Sequence, residues 1–337
     1  MRAVLVGLGA VGARSARQLL SSKSVSDLVV LARKPALVEA RVAALGASGV
    51  VRLEQLRPSS FAQVLAGAGV LLLAAPGPSG DLAEAAVRAS VPVVSASDDP
   101  AEVRGLLALE AEARRRGVSV AAGAGMAPGL SCLLAAWAVA KLDEVTEVHV
   151  ATLGTGGPAC ARRRHAALSE PVDEWRDGAW ARKVASSGRE LVWFPGYSGA
   201  DCYRVNRPDP LLLTGAFPSL RSVSARAAAS RRDRFTSRLP MLRPPHPEGT
   251  VGAVRVEVRG RRAGEAEVVI LGAGGRAALL AGTVLATAAV RAATGRLRAG
   301  AGGLASLVSA PGELLAELSE RGVSILTFEG GGTTPAW

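Results

Sequence analysis

AVLVGLGAVG, residues 3–12, decides the fold. Four apolar residues lead into glycines at 7, 9 and 12, and AVGARSARQLL (10–20) follows with helical spacing. A G-x-G-x-x-G run carries chemistry where it ends a strand and opens a helix, as it does here. Gly7 makes the tight turn, Gly9 lets backbone approach a pyrophosphate, and Gly12 lets helix and strand pack closely. The anion would meet the unpaired N–H groups of the first helical turn, which places Ala10 and Val11 with the three glycines.

Outward from this turn, strand and helix signals alternate over the first ~125 residues. The apolar runs are AVLV (3–6), LVVLA (28–32), VVRL (50–53), VLLLA (70–74), VPVVS (91–95) and VSVAA (118–122). Short, continuously apolar strands separated by helices imply a parallel sheet covered on both faces. The expected fold class is α/β: an N-terminal Rossmann doubly wound parallel sheet over residues 1–128.

After Pro128 the character changes. Residues 131–140 are apolar all round, the mark of a buried helix. EVHVAT (147–152), RSVSARA (221–227) and AVRVEVR (253–259) read as half-solvated strands of an antiparallel sheet. Residues 129–275 are therefore expected to form an inserted α+β substrate and dimerisation domain. From Arg276 a long helix and then GELLAELSERG (312–322) predict C-terminal helices, residues 276–337, returning to the first domain.

Bulk properties narrow the class. A chain of 337 residues with 49% hydrophobic content is long and apolar enough for a large core. Its three cysteines (Cys132, Cys160, Cys202) have no CxxC spacing, so neither a disulfide framework nor a metal site is expected. MRAVLVG enters a strand directly, so no leader is expected, and the longest apolar runs fall short of the ~18 residues of a membrane span. A cytoplasmic protein without membrane contact is the expectation. Net charge is +11, but 36 of the 40 basic residues are arginines scattered through an Ala- and Gly-rich chain. That pattern follows composition rather than a nucleic-acid-binding face, and a small-molecule partner is expected instead.

A dinucleotide's adenosine ribose is held by an acidic residue ~20 positions beyond the glycines when the cofactor is NAD. Here that position is Ala32, followed by Arg33 and Lys34. Two cations suit a 2′-phosphate, so NADP is expected, with NAD the alternative. LGAGGRAALLAG (271–282) also joins a strand to a helix, but its strand belongs to the antiparallel region. It reads as an interdomain turn.

Catalytic groups are sparse. Tyr197 and Tyr203 are followed at +4 by Asp201 and Arg207, so a Tyr-x-x-x-Lys mechanism is excluded. His149 reads as a solvated strand residue and His246, in PPHPEG, as part of a rigid turn. His165 follows Arg162, Arg163 and Arg164; these cations suit a substrate carboxylate, and the imidazole suits proton transfer. A solvated basic loop explains the same residues. Half of the twelve aromatic residues fall between Trp175 and Tyr203, as a wall over the reacting group or as core. His165, Asp201 and Tyr203 are the candidate catalytic residues; Arg163, Arg164, Trp175 and, in SRRDRF (230–235), Arg232 are candidate substrate contacts.

These residues resemble the saccharopine dehydrogenase-like family of NAD(P)-dependent oxidoreductases. The matching stretches are GLGAVGARSARQLL, VLLLAAPGPSGDLAEAAVRASVPVVSASDD, GAGMAPGLSCLLA and a late VRGRRAGEAEVVI strand, and together they span essentially the whole chain. GAGMAPG is the most telling, since the family carries a Gly-Phe-Asp-Pro-Gly turn there. The resemblance implies a Rossmann domain, an inserted α+β domain, a C-terminal segment returning to the first, and oxidation or reduction of C–N bonds in amino-acid or polyamine conjugates; a homodimer is expected. By position it places Ala75, Pro76 and Ser97 at the cofactor, and Gly125, Met126, Pro128 and Gly129 near the nicotinamide. The family's turn aspartate is Ala127 here, and the aspartate usual after the fifth strand is Ser95, so the substrate does not carry over.

Two alternatives stand beside this reading. One is a semialdehyde-type acylating reductase with Cys132 as nucleophile and His165 as base. The other is a non-catalytic NADP-binding sensor or scaffold. Cys132 lies in an apolar helix with Ala136 and Val139, where burial makes a thiol inert.

Overall fold

Twelve elements alternate along the N-terminal part of the chain: β1 (Arg2–Val6), α1 (Ala10–Ser21), β2 (Asp27–Ala32), α2 (Glu39–Ala43), β3 (Val51–Gln55), α3 (Pro58–Leu65), β4 (Val70–Leu73), α4 (Gly80–Arg88), β5 (Val93–Ser95), α5 (Pro100–Leu107), α6 (Glu110–Arg116) and β6 (Ser119–Ala121). The computed structural model describes residues 1–337 except Pro78, Leu242, Gly330, Gly331, Ala336 and Trp337. The strands lie side by side in the order β3-β2-β1-β4-β5-β6, every pair parallel. Helices cover both faces, so the central strands are apolar without alternation, and Ala3, Val4 and Leu5 are fully buried. Strand order reverses between β1 and β4. There the loops at the carboxyl ends diverge and leave a crevice.

The remaining elements are α7 (Leu130–Val139), β7 (Glu144–Leu153), α8 (Pro158–Ala167), β8 (Val172–Arg176), β9 (Ala179–Lys183), β10 (Glu190–Trp193), β11 (Gly199–Arg204), α9 (Asp209–Ala216), β12 (Ser222–Ala228), α10 (Arg231–Thr236), β13 (Val251–Arg262), β14 (Glu265–Arg276), α11 (Ala277–Ala293), β15 (Gly300–Gly302), α12 (Leu304–Leu307), α13 (Pro311–Glu320), β16 (Ser324–Glu329) and β17 (Gly332–Pro335). A second sheet runs β10-β11-β12-β7-β13-β14-β16-β17, with β8 pairing β12 and β9. It is mixed rather than antiparallel: β12 runs parallel to β7. The excursion between them, through α8, β8 to β11 and α9, is long enough to return the chain in the same direction.

Two further expectations are corrected. VRGRRAGEAEVVI (258–270) is a hairpin, not one strand: β13 and β14 pair antiparallel from Val251↔Arg276 to Arg262↔Glu265. Ala263 and Gly264 form its tip with φ of 51° and 83°, the backbone of a two-residue turn whose twist suits a hairpin. Nor is the segment 276–337 only helical. β15 adds a seventh parallel strand beside β6, and β16 pairs antiparallel with β14. β15 is GAG, with no apolar period to reveal it. The helices do return: α11 packs on α1 and against β4 and β5. Buried nearly throughout, α11 is apolar all round for the same reason as α7, which lies between the second sheet and α12 and α13.

Candidate functional site

The glycine turn between β1 and α1 opens onto a groove of about 550 Å³. Gly7 has φ +92°, and a Cβ there would lie 2.7 Å from the Ala75 nitrogen. At Gly12 it would lie 2.2 Å from the Gly7 carbonyl oxygen. At Gly9 it would meet nothing within 4 Å. Gly7 and Gly12 thus close the turn on itself, while Gly9 faces open space. No side chain caps α1 and no acidic residue stands in its first turn, so its N–H groups and positive dipole end face the groove. This arrangement fits a dinucleotide pyrophosphate held by Gly9, Ala10 and Val11.

Arg33, Lys34, Leu37, Val38, Arg41 and Leu56 line the outer end. An apolar slot between Leu37, Val38 and Leu56 suits an adenine ring. Arg33 reaches the Pro76 carbonyl at 3.4 Å, and Arg41 donates to the Leu8 carbonyl at 2.9 Å. No carboxylate lines this groove among the described residues. Three cations there suit a phosphate better than a ribose hydroxyl.

Inward, Val11 and Cys160 border this groove and two further compartments, making one cleft between the sheets. The first compartment, about 540 Å³, is walled by Ala74, Ala75, Pro76, Ser97, Asp98, Glu102 and Arg163. The second, only about 50 Å³, is lined by Asp98, Gly125, Met126, Ala127, Gly154 to Gly156, Arg164 and Arg207. Asp98, in the loop after β5, belongs to both. Burial raises the pKa of its carboxyl, against the pull of Arg207 and Arg163. Burial likewise pulls Arg164 down, with Asp233 opposing. Cys160 has its thiol pushed up to about 12, chiefly by burial, so it is no nucleophile.

The cations differ in how free they are. Arg163 is held by Glu170, bound bidentately at 2.7 and 2.9 Å, and forms an ion pair with Asp99 at 3.4 Å. Arg164 donates to the Ala228 carbonyl and lies 3.5 Å from Asp233. Arg207 holds buried Asp209 through Nε at 3.4 Å, while Ser131 donates to the other oxygen of Asp209 at 2.6 Å. Ser97 is similarly occupied, donating to Glu102 at 2.6 Å.

Several expected site residues lie elsewhere. The Nε2 of His165, at the end of α8, meets the Leu239 carbonyl at 2.9 Å, away from the cleft. Tyr203 is buried beneath Arg234, 4.1 Å from its ring, and Asp201 is paired with Arg189 at 2.9 Å. Trp175 donates to the Leu220 carbonyl at 2.7 Å and packs edge-on against Trp180. Arg232 is exposed on α10. None of these five lines the cleft: Trp175, Asp201 and Tyr203 stand in β8 and β11 of the second sheet, and His165 and Arg232 on α8 and α10 turn elsewhere. The aromatic segment is core (Phe194) and exposed surface (Trp180, Trp193) rather than a wall. Pro128 and Gly129 shape the loop without lining it: the Pro128 carbonyl accepts from Gly125 N at 2.8 Å, which presents Gly125 and Met126 to the cleft. His149 is paired rather than merely solvated, with Ser224 at 2.8 Å and Glu147 at 3.0 Å. Cys132 is fully buried in α7, its thiol pushed up to about 12.

Asp98, Arg41 and Arg207 escaped the sequence reading. Asp98 had a usable signal, a carboxylate just beyond the carboxyl end of a central strand. The other two stand in stretches with no motif. Among the described residues, no group of three His, Cys, Asp or Glu side chains could hold a metal ion, and no helix is long and apolar enough to cross a membrane.

No family profile matches the chain, and no curated protein matches its sequence. Solved structures do match. Apo saccharopine dehydrogenase (L-Glu forming) from Saccharomyces cerevisiae superposes with a TM-score of 0.68 over 97% of this chain and 100% of its own, at 15% identity. Diaminopimelate (DAP) dehydrogenase of C. glutamicum, solved with DAP, gives 0.49 over 96% and 99%, at 16% identity. Amine dehydrogenase from Mycobacterium smegmatis gives 0.48 over 91% and 96%, at 16% identity. The two-sheet architecture is that of the saccharopine dehydrogenase fold.

Proposed function

We propose that the chain is an NADP(H)-dependent oxidoreductase acting at the C–N bond of a small, amino-acid-like substrate that carries a carboxylate. One observation carries this reading: the cleft is continuous from the pyrophosphate-sized turn at Gly9, past Ala75 and Pro76, to a narrow compartment where Gly125 and Met126 face Arg164 and Arg207. A bound nicotinamide dinucleotide supplies or accepts the hydride there. Gly9, Ala10 and Val11 hold its pyrophosphate, and Arg33, Lys34 and Arg41 favour the 2′-phosphate. Gly125 and Met126 form the backbone wall of the reacting end.

Arg207 and Arg164 offer guanidinium donors to a carboxylate, which fixes the reacting carbon against the hydride path. An iminium is already electrophilic, so orientation is most of the task left to the protein. The buried Cys132 disfavours an acylating mechanism. A sensor role would show itself as cofactor binding without turnover. The reading includes a cytoplasmic homodimer that does not bind nucleic acid.

The test is oxidation of NADPH and of NADH across a panel of oxo acids with ammonia, primary amines and amino acids. Turnover of at least one oxo-acid and amine pair, faster with NADPH, is expected. Binding of NADPH without turnover of any pair would leave the sensor reading.

A further inference from the structure

We propose that Asp98 takes the proton from the substrate nitrogen as the C–N bond is oxidised, and returns it on reduction; this role rests on the oxidoreductase reading above. Asp98 is the carboxyl group shared by the two inner compartments, between the Ala75–Pro76 wall and the Gly125–Met126 wall. The other acids around the cleft are engaged: Asp99 caps α5 and meets Arg163, Glu102 is held by Ser79 and Ser97, and Asp209 by Ser131 and Arg207. Among the described residues no side chain pairs with Asp98, whose carboxyl accepts only from its own backbone N–H.

Charged and titratable groups face it from each neighbouring segment. They are Cys160, Arg163 and Arg164 on α8, Arg207 in the loop before α9, Glu102 on α5, and Asp99 beside it in the chain. Burial works against the carboxylate, so the group is poised to exchange a proton above the ordinary carboxylate range.

The step balances as follows. A substrate ammonium gives one proton to the Asp98 carboxylate, leaving a neutral amine. The nitrogen lone pair then forms the C=N bond while the C–H pair leaves as hydride to the oxidised nicotinamide. The products are an iminium, a reduced dinucleotide and the Asp98 acid, and reduction runs each step backward.

The experiment uses the full chain and two probes, NADP+ and NADPH, titrated by calorimetry from about pH 5 to about 9. The nicotinamide ring of NADP+ is cationic, so a carboxylate beside it binds NADP+ more tightly once ionised. NADP+ affinity relative to NADPH should rise about tenfold with pH through the Asp98 titration. Asp98→Asn should flatten that rise and Asp98→Glu should keep it. A ratio independent of pH in the wild type, or a rise that survives in Asp98→Asn, overturns the proposal and leaves the oxidoreductase reading standing. Failure to bind either dinucleotide at any pH overturns the oxidoreductase reading itself. With the fastest amine and oxo-acid pair of the panel, Asp98→Asn should lower kcat about 10²- to 10⁴-fold and remove its limb in the pH profile. An unchanged kcat and profile would overturn the role.

Discussion

The glycine-rich joints β1–α1 and β14–α11 both connect a strand to a helix, and they differ in what their glycines face. At the β1–α1 joint a Cβ on Gly9 would project into open space. At the β14–α11 joint every approach is filled by protein. A Cβ on Gly274 would lie 2.0 Å from the Tyr197 ring, and one on Gly282 would lie 2.6 Å from the Arg14 Cβ and 2.9 Å from the Val11 carbonyl oxygen. The second joint exists so that α11 can lie against α1, which holds the back of the first joint in place. Glycine thus has different neighbours in the two: Gly9 faces an open groove, whereas Gly274 meets the Tyr197 ring and Gly282 meets α1.

The largest effect should come from breaking the covered joint. Gly282→Leu puts a side chain into backbone of α1, and should cost more than about 3 kcal/mol, or prevent folding. Thermal or denaturant unfolding measures this; a variant as stable as the wild type would mean that α1 and α11 are not in close contact. Gly9→Val sharpens the contrast. It should leave the unfolding midpoint unchanged while weakening NADPH binding about a hundredfold, or about 2.8 kcal/mol. A fall in stability of the size expected for Gly282→Leu would erase the distinction between the joints.

Smaller effects probe the open side. Arg33→Asp should raise the KM for NADPH about tenfold, through loss of a charge-assisted phosphate contact, and spare NADH. Cys132→Ser should leave turnover within about twofold, because the thiol is buried and protonated, and should cost about 1 to 2 kcal/mol for a buried hydroxyl. Asp98→Asn should stabilise the fold slightly at neutral pH. Burial raises this carboxyl in the folded chain, so its contribution to stability is full below about pH 4 and declines as pH rises through the folded value. The gain over wild type should therefore vanish when melting is repeated below about pH 4.

Much of the first domain was legible in the residues. Six apolar runs became β1 to β6, and the glycine spacing, Arg33, Lys34, Ala75 and Pro76 all came to line one groove. Each of these is local: a strand, a turn and the residues just past a strand end obey short-range rules. The inner end of the cleft was harder. His165, Tyr203, Asp201, Trp175 and Arg232 are chemically suited to a site, yet they stand outside it on α8, β11, β8 and α10. Asp98, Gly125, Arg164 and Arg207 come from four separate segments, and nothing in their spacing joins them.

By itself, then, the sequence determined where the first six strands run, which turn opens helix α1, and which sign of charge waits at its outer end. Tertiary structure alone decided the parallel pairing of β12 with β7, the seventh strand at β15, and the partner that each arginine takes. The physical reason is range. Periodicity and turn chemistry act over a few residues, whereas burial and ion pairing depend on what other segments bring within a few ångströms. Asp98 shows the difference: its place after β5 is local, and its poised carboxyl exists only because α8 and the Arg207 loop close around it.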